Sequence, residues 1–199
     1  MMDKLLPEVA AQREADYEID PVFLNRWSPR AFANRPVEDS DLYGVLEAAR
    51  WAPSGSNEQP WRFIVAKTPE QRELFLSFIN PFNREWCHAA PVLLLLISKQ
   101  VTEEGKTVGS HAFDAGTAWG YLALEATRRG LSSHAMGGFN KEEAMAKLQV
   151  SADYAPQVVI ALGYRGDEEQ LAERNRIRET PNTRMPLAEL VMEGRFSTP

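Results

Sequence analysis

The chain is short of the residues and patterns that mark several common kinds of protein. Among its 199 residues there is one cysteine, Cys87, and there are three histidines. A lone cysteine excludes an intramolecular disulfide and a cysteine-cluster metal site. Beside Trp86 it is expected to pack as a small apolar residue. His88, His111 and His134 stand in unrelated contexts without metal-ligand spacing, so each is expected to be a hydrogen-bonded structural histidine. Basic runs are missing too, and the formal net charge is −6, which argues against nucleic acid as the main partner. The longest apolar run, residues 89–97, is too short to span a bilayer, so no membrane partner is expected. Residues 1–20 carry Asp3, Glu8, Glu14 and Asp16 and no apolar stretch like a signal peptide, which predicts a cytoplasmic location. The patterns Gly-x-Ser-x-Gly, His-Glu-x-x-His, Gly-x-x-x-x-Gly-Lys and Gly-x-Gly-x-x-Gly do not occur. No acid–base or nucleophilic constellation stands out, and no side chain is assigned a catalytic role.

What is there is ordinary globular material, 44% hydrophobic and 25% charged, of a length that fits one compact domain over 1–199. Residues 2–19 read as a polar helical arm, broken by Asp20-Pro21. Residues 39–52 read as a helix with Leu42, Val45, Leu46 and Ala49 on one face, capped by Asp39 or Ser40. A strand follows at 61–66. Thr68-Pro69-Glu70 opens a helix whose apolar side holds Leu74, Phe75 and Phe78. Residues 82–86 look like a structured loop, and 92–97 form a central strand covered on both faces. A mobile surface loop is expected near 100–108, with a long apolar helix over 110–129 closed by Gly130. Its small residues, Gly116 and Gly120 among them, suit close approach in the core or between subunits. A short strand and glycine loop at 131–139, a helix at 140–148 and a buried strand at 157–163 complete the body. A tail runs from 174 to 199. The pattern predicts an α+β domain, one sheet wrapped by helices.

Polar residues suited to ligand binding gather in four places. Arg26-Trp27-Ser28-Pro29-Arg30 offers two guanidinium forks and a hydroxyl, suited to a phosphate or a carbonyl-rich ring. Between the helix ending near Trp51 and the strand from Trp61 lies Pro53-Ser54-Gly55-Ser56-Asn57-Glu58-Gln59-Pro60, rich in donors, acceptors and breakers. There Gly55 is expected to supply a backbone angle unfavourable to other residues. Gly137-Gly138 leaves amides uncovered, and Arg184 stands late in the tail. Such a dispersed set suits a phosphorylated, planar cofactor that does its own chemistry.

These motifs resemble the nitroreductase family of flavoproteins over about residues 22–190. The most specific part is the block at 52–65, Ala-Pro-Ser-Gly-Ser-Asn-Glu-Gln-Pro-Trp-Arg-Phe-Ile-Val. The resemblance implies a three-layer α+β fold with a mixed, mainly antiparallel sheet, and a homodimer holding FMN at its interface. By analogy Arg26, Trp27 and Ser28 lie at the FMN phosphate with Arg184, and residues 174–199 help build that site and the dimer. Arg30 would lie by the pyrimidine edge. Pro53, Ser54, Asn57 and Gln59 would come from the second subunit, and Asn83 would be a ring-edge asparagine. The amides of Gly137 and Gly138 would face N5 and O4, with Met136 packed on one ring face. Some relatives carry lysines where this chain has Asn182 and Trp86, which lowers the positive charge here. Phe82, Trp86, Phe113 and Trp119 are candidates for a pocket wall or for core packing. The implied activity is ping-pong hydride transfer from NAD(P)H to a small acceptor such as a nitroaromatic or quinone. Alternatives are a specialised dehalogenase or dehydrogenase, or a flavin-sequestering protein without turnover.

Overall fold

The computed structural model describes residues 4–196. A four-stranded sheet forms its middle layer, in the order β1 (Trp61–Ala66), β2 (Val92–Lys99), β4 (Tyr154–Gly163), β3 (Ser132–Met136). All three pairings are antiparallel, so the expected mixture of strand directions is not found among the described residues. β2 is central because its run of leucines can be buried on both faces, and every residue from Val92 to Ser98 is buried. Alternation along β2 sorts its side chains between two cores. Leu93 and Leu95 point to one face, with Val159 and Ala161 of β4, against α4 (Pro69–Leu76), α5 (Pro81–Cys87) and α7 (Lys141–Lys147). Leu94 and Leu96 point to the other, with Ile160 and Leu162, against α3 (Asp39–Arg50) and α6 (His111–Arg128). The result is helices, sheet, helices, as expected for three layers.

Local chemistry explains most element ends. Thr68 caps α4 through a capping box with Gln71, and Pro69 occupies the first turn, where its missing N–H costs nothing. Asp20 caps α2 (Pro21–Asn25) by accepting from the Val22 amide at 2.9 Å. Gly130, at φ +72°, closes α6.

Several expectations fail for identifiable reasons. Among the described residues the arm is helical only over α1 (Pro7–Ala10), and residues 2 and 3 of the expected 2–19 helix lie outside the described part. Pro7 can start a helix but not sit inside one, and the sparse apolar residues after it give a longer helix nothing to bury. The loop expected at 82–86 is helix α5, since Pro81 sits at its first position just as Pro69 does in α4. α3 starts after Glu38 with no side-chain cap; Asp39 and Asp41 instead place negative charge in its first turn. Leu74 is largely exposed, leaving Phe75 and Phe78 to the core. Residues 100–108 fold back through a bridge between Val101 and Thr107. A Cβ at Gly116 or Gly120 would meet nothing within 4 Å among the described residues outside their own helix turn, and both lie with exposed Phe113 on the outer side of α6. Among the described residues no helix is long and apolar enough to cross a membrane.

Candidate functional site

The chain leaves α2 at Arg26 in extended conformation and meets β3 where His134 contacts the Pro29 carbonyl. Just past the end of β4, the Ala33 amide donates to the Tyr164 carbonyl and the Gly166 amide to the Ala31 carbonyl, both at 2.9 Å. From the tail, which also carries α8 (Glu173–Arg176) and α9 (Leu187–Leu190), Glu179 reaches in. Its buried carboxylate accepts from the Arg30 amide at 2.8 and 2.9 Å and from the Ala31 amide at 2.9 Å. A second tie joins the tail to α5: Glu85 accepts from Arg174 Nε at 2.7 Å and from Asn175 Nδ2 at 2.6 Å. Charge-assisted bonds of this kind fix the tail beside the 26–30 segment.

Between the two lies a polar cavity of about 520 Å³ lined by Ser28, Arg30, His134, Arg178, Thr180 and Asn182, with Ile177 at its wall. The Arg30 guanidinium donates weakly to the Arg178 carbonyl, 3.3 Å away, while its buried Nε has no partner among the described residues. Burial pushes the Arg30 pKa down, opposed by Glu179 and assisted by Arg178. His134 meets the Pro29 carbonyl through Nδ1 at 3.0 Å, which places the proton on Nδ1 and leaves Nε2 as an acceptor. Desolvation above all holds this imidazole neutral, with its pKa pushed down to about 4. Trp86 packs against it at 4.5 Å between ring centres.

A short way off three guanidinium groups gather. Arg26 Nη1 reaches Ser28 Oγ at 3.3 Å. Arg13 and Arg26 are each desolvated, and each feels the positive charge of Arg184. Among the described residues none of the three has a carboxylate ion-pair partner, although nine other ion pairs form in this chain. Desolvated like charges left unpaired are costly, and an anion is the group that relieves them. This arginine cluster and the orphaned Arg30 Nε fit an elongated ligand with an anionic end and polar edges. Phosphate, ribityl chain and flavin ring have that chemistry.

The expected residues fall into two groups. Arg26, Ser28, Arg30 and Arg184 converge as described. Asn83 and Gly138 also meet: Asn83 Nδ2 donates to the Gly138 carbonyl at 3.2 Å, and the space a Gly138 Cβ would need is taken by that amide, 2.4 Å away. The Gly137 and Gly138 amides donate to no acceptor among the described residues. Two of the expected side chains are buried in the chain. Met136 lies in the core on the α5 side. Trp27 lies beneath Arg165, 4.9 Å from its ring centre. Of the candidate wall aromatics, Trp86 is core, Trp119 packs against the α3–α6 core, and Phe82 and Phe113 are exposed.

Pro53, Ser54, Asn57 and Gln59 form the second group, at the β1 edge. Three strand spacings separate that edge from β3, roughly 14 Å at about 4.8 Å each. One chain does not bring the two groups together. The loop is nonetheless built with care. Ser56, Asn57 and Gln59 all take positive φ, 50°, 58° and 45°, a conformation that non-glycine residues adopt at a cost. Ser54 Oγ accepts from the Gln59 amide at 3.0 Å, and buried Asp114 Oδ2 accepts from Ser110 Oγ at 2.8 Å and from the Gly55 amide at 3.3 Å. Contrary to expectation, Gly55 is not the left-handed residue. It is small because a Cβ there would come 2.8 Å from Ser110 Oγ.

Sequence reasoning missed Arg13, Arg178 and Glu179, and gave His134 only a structural role. Arg13 lies within an arm read as plain helix, where nothing in local spacing marks it. The density of polar residues in 178–184 was a signal for the tail, but which of them turn inward depends on tertiary contacts.

Comparison with known proteins identifies the family. The nitroreductase family model matches residues 24–81 and 75–164. A crystal structure described as an oxidoreductase containing FMN superposes with a TM-score of 0.90 at 41% identity, covering 94% of this chain and 97% of that one. A Thermus thermophilus NADH dehydrogenase is 28% identical, with 96% of this chain and 99% of that protein covered. A Streptomyces coelicolor relative named for NADH dehydrogenase/NAD(P)H nitroreductase is 27% identical, with 80% and 86% covered. With a family model spanning most of the chain and the same fold carried at 41% identity, the chain belongs to the nitroreductase family and is an oxidoreductase.

Proposed function

We propose that this chain is an FMN-dependent NAD(P)H oxidoreductase acting on small acceptors such as nitroaromatics or quinones, and that its working unit is a homodimer. The observation that carries the reading is the cluster of Arg13, Arg26 and Arg184, without a carboxylate ion-pair partner among the described residues, which meets the polar cavity at Arg30 through Ser28, bonded to Arg26, and Asn182, whose carbonyl accepts from Arg13. FMN, when bound, supplies the hydride and electron transfer that no side chain here can provide. Arg26, Ser28 and Arg184 would hold its phosphate, and Arg30 would place a fixed positive charge at the polar edge of its ring, favouring the anionic reduced form. The uncovered amides of Gly137 and Gly138, next to Asn83, would donate to the ring edge.

A neutral His134 fits this arrangement, since a second cation beside Arg30 would be repelled. Pro53, Ser54, Asn57 and Gln59 lie at the opposite edge of the sheet from the arginines, which favours their acting on the partner's cofactor. Exposed Phe113 and Tyr121 on α6, and Met185, Leu187, Leu190 and Val191 in the tail, supply the apolar area such a partner would cover. The family names, with FMN in a structure 41% identical and NADH or NAD(P)H in the relatives, support the cofactor and the donor. The test is a visible spectrum of protein incubated with FMN, recorded before and after anaerobic NADPH and then NADH. A bound-flavin spectrum that bleaches is the expected result. A bound flavin that neither donor bleaches would make the protein a flavin carrier, and no binding at all would sink the proposal.

A further inference from the structure

The flavin reading assigns the anionic end of the ligand to Arg26 and Arg184, but it leaves open what brings these residues together. They belong to segments that share no strand pairing: one follows α2, the other lies in the tail. Arg13 touches both. Its Nη1 donates to the carbonyls of Leu24, at 2.5 Å, and Arg26, at 2.9 Å. Its Nε donates to the carbonyl of Asn182, at 2.7 Å, across 169 residues of sequence. One planar fork therefore holds the backbone on both sides of the anion site, a task that suits guanidinium geometry and not a point charge.

The placement is not neutral. Arg13 is a cation pressed against two others, and desolvation followed by the charges of Arg184 and Arg26 pushes its pKa down to about 10. Its three carbonyl acceptors offset some of the desolvation but none of the repulsion. An arginine kept in such a place, with no carboxylate in ion-pair contact among the described residues, is relieved when an anion joins the group.

We propose that Arg13 is the positioning residue of the anion site: it fastens the arm to the tail, so that Arg26 and Arg184 converge on one phosphate group. The identity of the molecule carrying that phosphate rests on the flavin reading; the fastening does not. Coupling follows from the geometry. Phosphate binds more tightly when the arm and tail are held together, and they are held more firmly when phosphate is present.

The experiment compares wild type, Arg13→Ala and Arg13→Lys, titrated with FMN and with riboflavin, which lacks the phosphate. Arg13→Ala should raise the FMN dissociation constant about 10- to 100-fold while leaving that of riboflavin within about threefold. Arg13→Lys keeps the charge and loses the fork, so it should stay within about threefold of Arg13→Ala for FMN. Should Arg13→Ala not fold, the lysine variant alone carries the comparison. Parallel loss of both flavins would mark a general folding effect, and full recovery in Arg13→Lys would show that only charge matters. Either result overturns the proposal, as does unchanged FMN binding. In flavin-free protein, inorganic phosphate should raise the melting temperature of wild type clearly and that of Arg13→Ala hardly at all; equal shifts, or none in wild type, also overturn it. A wild-type chain that binds neither flavin but keeps the Arg13-dependent phosphate shift would sink the flavin reading and leave the positioning role standing.

Discussion

Arg26 and Arg184 donate to no carboxylate among the described residues, so removing either should subtract from ligand binding more than from the fold. Each alanine variant should weaken FMN retention by about 1.5–3 kcal/mol, one to two decades in dissociation constant, as equilibrium titration would read it. Ser54→Ala removes a neutral hydrogen bond and should cost about 1 kcal/mol. His134 makes a prediction in pH. Its folded pKa, about 4, lies below the ordinary 6.5, so the unfolded chain takes up a proton first as pH falls. The stability this group contributes is complete above pH 6.5 and is lost as pH drops through 4, with a loss on the order of 3 kcal/mol. Denaturant melts between pH 7 and pH 4 should show that slope in wild type and a flatter one in His134→Gln. The sequence reading listed Arg26, Ser28, Arg30 and Arg184 because charged residues close to serine or proline stand out in one dimension. Arg13 and Glu179 did not, since the contacts that tie Arg13 to the tail and Glu179 to the 30–31 backbone cross more than a hundred residues.

At the level of elements, the reading was best where punctuation and packing agree. β1 was expected at 61–66 and found there, and the capping box at Thr68 and the leucine run of β2 were equally plain. α5 was missed although Pro81 offered the same start as Pro69, because its apolar residues show no helical stripe. Gly138 and Gly166 illustrate what sequence does not reveal about glycine. At Gly166 a Cβ would sit 2.5 Å from the Phe32 carbonyl carbon, in the bridge that holds the 26–32 segment to the sheet. Gly166→Ala must therefore push backbone against backbone. It should destabilise the protein by about 1–3 kcal/mol in chemical denaturation and weaken FMN binding with it.

Across the whole molecule, the two groups of site residues lie on opposite edges of one sheet, and that separation sets a sharp test. If each cofactor takes arginines from one chain and the 54–59 loop from another, two weak-binding variants should complement. Arg184→Ala mixed after denaturation with Asn57→Ala should regain FMN binding in about a quarter of the sites, because random pairing makes half the dimers mixed and each mixed dimer has one intact site. A mixture no better than its components would place both groups in one chain's site. A single sheet wrapped by helices was legible in the alternation of apolar runs, and the three-layer form of it came with the family resemblance. The separation of the site was not legible from spacing alone, since it follows from strand order.

Cys87 is fully buried between α5 and the sheet, and burial pushes its thiol up to about 12, so at neutral pH it stays protonated and out of reach. The protein is therefore silent toward thiol reagents, with no native cysteine that would need removing. A single cysteine introduced in the tail at exposed Glu193, outside the apolar patch assigned to the partner, would be the one reactive site for a spin label among the described residues. The distance between two such labels in solution would then report where the tail of each copy lies.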